Sequence, residues 1–226
     1  ITATQITLRE LIWRAYVVQP FQVAGGPDWT RDDRFDIVAK ADGTATSIEG
    51  IRAMLRSLLA DRFRLAVQKE SREQPVYALV AMKRDGQLGA QLKPSTTDCA
   101  AVRARRTPRS EPPRDGSEPD CEMAMSLRAP IMTARFVGET MDGIARLLTG
   151  PETQRVVINK TGIAGTYDGT LSFTPSPLPG LSPVPGSDAG TSLFTALLEE
   201  FRLRLQAERG LADIITIVRA EKPAND

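Results

Sequence analysis

The segment Phe63-Arg64-Leu65-Ala66-Val67-Gln68-Lys69-Glu70 returns as Phe201-Arg202-Leu203-Arg204-Leu205-Gln206-Ala207-Glu208, with Phe, Arg, Leu, Gln and Glu at the same places. Both copies follow a helical apolar stripe and lead into strand-like sequence. From Leu55 to Val80 one offset of 138 residues pairs Leu55 with Leu193, Leu59 with Leu197, Phe63 with Phe201, and Val76, Ala78 and Val80 with Ile214, Thr216 and Val218. Identity and periodicity kept in register across a helix and two strands predict one supersecondary unit used twice.

Outward from this repeat, Thr7-Leu8-Arg9-Glu10 reads as a capping box, and Leu8, Leu11, Ile12 and Ala15 recur at helical spacing to about Val17. Pro20 and Gly25-Gly26-Pro27 close that helix region, and Arg34 to Ala41 alternates as a strand. Ile51, Met54, Leu55, Leu58 and Leu59 make one face of a helix over residues 48–63. Strands are expected at Arg64 to Lys69 and Pro75 to Lys83, joined as a hairpin through the polar Glu70 to Gln74. The second half repeats the order. A strand at Ile131 to Phe136 is followed by a helix capped by Thr140, a β-branched strand at Arg155 to Asn159 and a strand at Thr166 to Phe173. A helix at Ser192 to Phe201 and strands at Arg202 to Ala207 and Ala212 to Val218 complete it. The predicted class is α+β, as two related strand-helix-strand-strand-helix-strand-strand units in which helices cover one face of mainly antiparallel sheets. The predicted boundaries are 1–84 for the first unit, 85–130 for a polar excursion rich in arginine, and 131–226 for the second unit.

Composition narrows the chemistry. The 29 basic and 28 acidic side chains nearly cancel, so no net field directs the chain to nucleic acid or an anionic membrane. There is no histidine, which excludes Ser-His-Asp and Cys-His catalysis within the chain and removes the commonest metal ligand. No cofactor and no metal are expected. No apolar run reaches membrane-spanning length. The chain opens on Ile1 rather than Met and reads as a processed chain whose targeting segment lies upstream.

Cys99 and Cys121 flank the polar excursion, either as two separate thiols or as a disulfide. Closing a loop of this length would stabilise the fold by about 3 kcal/mol, which favours the disulfide and with it an oxidising, extracytoplasmic compartment. Within the excursion, Arg103, Arg105, Arg106, Arg109 and Arg114 could meet phosphates, but acids follow closely and aromatics are lacking, so a solvated loop is expected.

Several strings occur in order along nearly the whole chain. They are Thr7-Leu8-Arg9-Glu10-Leu11-Ile12, Gly25-Gly26-Pro27-Asp28-Trp29, Arg34-Phe35-Asp36-Ile37, Met54 to Phe63, Pro75-Val76-Tyr77-Ala78-Leu79, Val157 to Asp168 and Glu221-Lys222-Pro223. They resemble a large paralogous family of exported acidobacterial proteins classed as a domain of unknown function. The resemblance implies a signal peptide and, for some members, fusion to a β-lactam-sensor-type zinc metallopeptidase. It transfers no catalytic residue. The chain departs from the family's pattern at Asn159, where Asp is usual. The second unit also looks like the short amino-terminal domain of secretins and TonB-dependent receptors, a likeness of fold alone.

Candidate sites follow from residue type. Trp29, beside the flexible glycines and Asp28, could stack on a ligand or lie as a lid on the core edge. Asp28, Asp32, Asp33 and Asp36 are dense but lack the spacing of a calcium loop. Asp36 and Asp168 follow an aromatic at equivalent strand positions, as a repeated structural role or as a carboxylate dyad. The expected function is an extracytoplasmic binding or sensor module without catalysis. Its partner would be a peptide, a cell-envelope component or another protein, bound at sheet edges or between the units. A carboxylate- or metal-dependent hydrolase is the alternative.

Overall fold

A computed structural model describes residues 2–39, 48–82, 87–99, 101–102, 121, 123–176 and 190–223. It is a mixed α+β structure of two compact units, one formed by 1–74 and 210–226, the other by 75–209. The second is a single stretch of chain, whereas the first joins the amino-terminal 1–74 to the carboxy-terminal 210–226.

Unit 1 begins with β1 (Thr2–Thr7) and α1 (Leu8–Tyr16). The capping box forms as predicted: Glu10 N donates to Thr7 Oγ1 at 3.2 Å and Thr7 N donates to Glu10 Oε2 at 2.8 Å. The helix ends where Val17 turns left-handed at φ 57°. A 3-10 turn (Pro20–Gln22), β2 (Val23–Gly25), α2 (Trp29–Asp32) and β3 (Arg34–Val38) follow, then α3 (Ile48–Phe63). β3 pairs antiparallel with β1, and β2 runs parallel to Ile215–Ile217 of the last strand. Leu8, Leu11, Ile12 and Ala15 of α1 join Leu55, Leu59 and Phe63 of α3 in one buried core, which is the apolar stripe converted to packing.

In place of the expected hairpin through Glu70 to Gln74, β4 runs unbroken from Ala66 to Ala81. The segment Glu70-Ser71-Arg72-Glu73-Gln74 has no Gly, Asn or Asp to take the positive φ of a tight turn, and it stays extended, with Ser71, Arg72 and Glu73 exposed and Glu70 and Gln74 half-buried. The second expected pair of strands is likewise the single β10 (Leu203–Arg219). Each long strand is divided between the units: 66–74 of β4 and 210–219 of β10 belong to unit 1, the remainder to unit 2.

Unit 2 adds β5 (Leu92–Pro94), β6 (Ala124–Arg128), β7 (Ile131–Thr140), α4 (Met141–Leu148), β8 (Val157–Asn159) and β9 (Thr166–Phe173). Helix α5 (Leu193–Ala196) continues as a π-helical segment, Leu197–Phe201. The strand order β5-β9-β7-β6 is antiparallel throughout, and β8 runs parallel to Tyr77–Leu79 of β4. Both ends of the predicted excursion are therefore sheet. Pairing to β9 and β7 holds β5 and β6 despite their polar surroundings. The core gathers Phe136, Met141, Ile144, Leu148, Leu171, Leu197, Phe201 and Leu203.

Local geometry recurs between the units. β1 shifts register against β3 between Ala3 and Ile6, and β7 shifts against β9 between Phe136 and Glu139. The extra residue has positive φ in both, 52° at Gln5 and 62° at Gly138. Thr7 and Thr140 cap the next helices, and Arg64 and Arg202 are left-handed after Phe63 and Phe201.

Candidate functional site

The two acids paired in sequence have the same job. Gln5 N donates to Asp36 Oδ1 at 2.8 Å, and Gly138 N donates to Asp168 Oδ1 at 2.8 Å. Each carboxylate reaches across its ladder to hold the amide that the bulge leaves without a strand partner. This geometry gives Asp36 and Asp168 the same structural role, each at the bulge of its own ladder.

Trp29 opens α2 half-buried, its ring edge-on to Phe35 at 6.3 Å, while Phe35 meets Phe63 at 5.1 Å. One face of the indole is thus tied to the unit 1 core. Lys222 Nζ lies 5.9 Å from the ring centroid and is ion-paired to Asp33 at 2.6 Å. The Asp28 side chain is exposed and makes no capping bond; its carbonyl accepts from Arg31 N. Among the described residues no group of His, Cys, Asp and Glu could hold a metal ion, and no helix is long and apolar enough to cross a membrane.

Cys99 and Cys121 are joined, with Cα atoms 5.5 Å apart and both residues buried. Cys99 lies against the bulge of β7, its Sγ 3.5 Å from Val137 O. The cluster Arg103, Arg105, Arg106, Arg109 and Arg114 lies outside the described residues, as does most of the Thr174 to Gly190 loop.

Two features escaped the sequence reading. The first is β6, the last strand of its sheet among the described residues, whose five residues are all exposed. Met125 pairs with the buried Ala134 and Leu127 with Met132, so both side chains lie on the core side of the sheet, yet each is 54% exposed. The apolar face runs past its cover. The period-two alternation Met123-Ala124-Met125-Ser126-Leu127 carried that signal within an otherwise polar segment.

The second is Glu200, whose carboxylate accepts from Ser172 N at 3.4 Å. Burial raises its pKa, the Ser172 amide opposes this, and Glu199 adds to the rise. Between the unfolded pKa and the raised folded one, the folded state therefore holds a proton that the unfolded chain has released. Glu200 favours folding most below its unfolded pKa, and that contribution is lost as pH rises through the raised folded value. Urea titrations across this window should show a fall in stability with rising pH that is shallower in Glu200→Gln.

A family model described as "Protein of unknown function (DUF3738)" matches residues 9–220. No curated protein and no solved structure matches the chain.

Proposed function

The chain belongs to the DUF3738 family, whose description names no activity, and on that premise we propose a non-catalytic binding module that takes up an extended peptide segment of a partner. The observation that carries this reading is the β6 edge, where a terminal strand with Met125 and Leu127 on the open end of an apolar face offers backbone groups and side-chain contacts together. A strand added there would extend the antiparallel sheet and cover both residues. The alternative hydrolase has less support, because Asp36 and Asp168 are each held by a backbone amide.

The buried disulfide supports an oxidising compartment, hence export. The matching bulges, caps and left-handed helix exits support an internal duplication, with each half of the chain lending part of its long strand to the other unit.

Panning a random-peptide display library on the immobilised protein tests the binding reading. Enriched peptides should carry alternating apolar residues, and Leu127→Lys, which puts a charge on the edge without touching the core, should weaken them about tenfold or more. Failure to enrich any peptide, or enriched peptides indifferent to Leu127→Lys, refutes it.

A further inference from the structure

The three-residue strands β2 and β8 each end a sheet, and the two edges are finished differently. In unit 1 the carbonyls of Val23 and Gly25 point away from β10 and both accept from Arg9, Val23 O from Nη1 at 2.5 Å and Gly25 O from Nη2. One guanidinium closes the edge, spanning two alternate carbonyls with its planar fork. Arg9 is the second residue after the helix cap Thr7.

In unit 2 the second residue after the cap Thr140 is Asp142. Tyr77 N donates to Val156 O and Lys160 N to Leu79 O, so residues 156, 158 and 160 face β4 and the carbonyls of Val157 and Asn159 alternate outward. Thr149 Oγ1 accepts from Val157 N at 2.8 Å, but among the described residues no strand lies beyond β8 and no guanidinium stands where Arg9 stands in unit 1. The acid is held in place instead. Asn159 Oδ1 accepts from Thr161 N at 3.0 Å and from Thr161 Oγ1 at 2.8 Å, which turns its Nδ2 toward Asp142 Oδ1 at 3.1 Å. Asp142 is exposed, and no Lys or Arg among the described residues pairs with it.

We propose that the corner between α4 and β8 is a binding site for a guanidinium supplied from outside, the arginine side chain of a peptide. It donates to Val157 O and Asn159 O as Arg9 does to Val23 O and Gly25 O, and Asp142 supplies the counter-charge. Arginine is preferred to lysine because two carbonyls on alternate strand residues match a planar fork and not a single ammonium. The site deepens the binding-module reading and rests on it for the ligand being a polypeptide, although its surface is separate from β6.

The probe is N-acetyl-argininamide, titrated into the 15N-labelled protein, with N-acetyl-lysinamide for comparison. Amide shifts should concentrate at Asp142, Val157 and Asn159, with argininamide bound in the millimolar range and about fivefold or more tighter than lysinamide. Asp142→Asn should weaken it by about fivefold or more, and Asp142→Arg, which supplies the missing guanidinium within the chain, should abolish it. Leu127→Lys should leave it unchanged. Shifts that are absent, lie elsewhere, are equal for the two probes or are indifferent to Asp142→Asn overturn the site. Argininamide failing while library peptides still bind through Leu127 removes this inference alone; the reverse result removes the β6 reading alone.

Discussion

Phe201→Ala is expected to destabilise unit 2 by about 3–5 kcal/mol, read as a lower urea midpoint at unchanged m value. Phe201 is fully buried, and its ring meets Phe136 edge-on at 5.9 Å and 83°. It closes the π-helical segment, after which Arg202 turns left-handed at φ 55° and the chain enters β10. The backbone on both sides is thus fixed by other contacts, so the site cannot collapse on the missing ring and the cavity cost stays high. Phe63→Ala in unit 1 should cost a similar amount, since Phe63 is 2% exposed, packs on Phe35 and precedes Arg64 at φ 47°. A loss below about 1.5 kcal/mol at either position would mean that the repeated segment does not anchor the core as its packing requires.

Much of this packing was legible because its signals are local. Thr7 and Glu10 lie three residues apart and can bond only if a helix starts there, and the stripe from Met54 to Phe63 buries whichever sheet it meets. The equivalence of Asp36 and Asp168 was legible too, although its reason lay in the positive-φ residue opposite, and Gln5 gives no sign of that conformation. The straight course of β4 was not legible. A polar run without glycine suits a loop or an extended strand equally well, and its place in two compact units decides between them. The β6 edge was hidden by composition, five strand residues inside a segment whose average reads as solvated. Arg9 looked like an ordinary helix-surface cation. Its role depends on two carbonyls that lie 14 and 16 residues away in sequence.

Gly138→Ala should be among the most damaging single changes, at about 2–4 kcal/mol, although it adds one carbon. Its φ of 62° is a conformation that costs an L residue about 1 kcal/mol, and a Cβ there would lie 2.5 Å from Cys99 Sγ and 3.0 Å from Cys99 Cβ. The neighbour cannot swing away, because the sulfur is bonded to Cys121 and buried. Gln5, the corresponding bulge residue of unit 1, has φ 52° and its side chain is exposed, so there only the backbone cost applies and Gln5→Gly should be neutral or slightly stabilising. The two sources of the Gly138 cost separate in a double-mutant cycle. Replacing both cysteines by alanine should itself cost about 3 kcal/mol, from the loop closed over a separation of 22 residues. In that background the Sγ contact is gone while the Cβ of residue 99 remains 3.0 Å away, so Gly138→Ala should fall to about 1–2 kcal/mol, leaving a coupling of about 1–2 kcal/mol. Additive costs would show that the disulfide does not crowd the bulge, whereas strong coupling identifies the glycine as the space the disulfide requires.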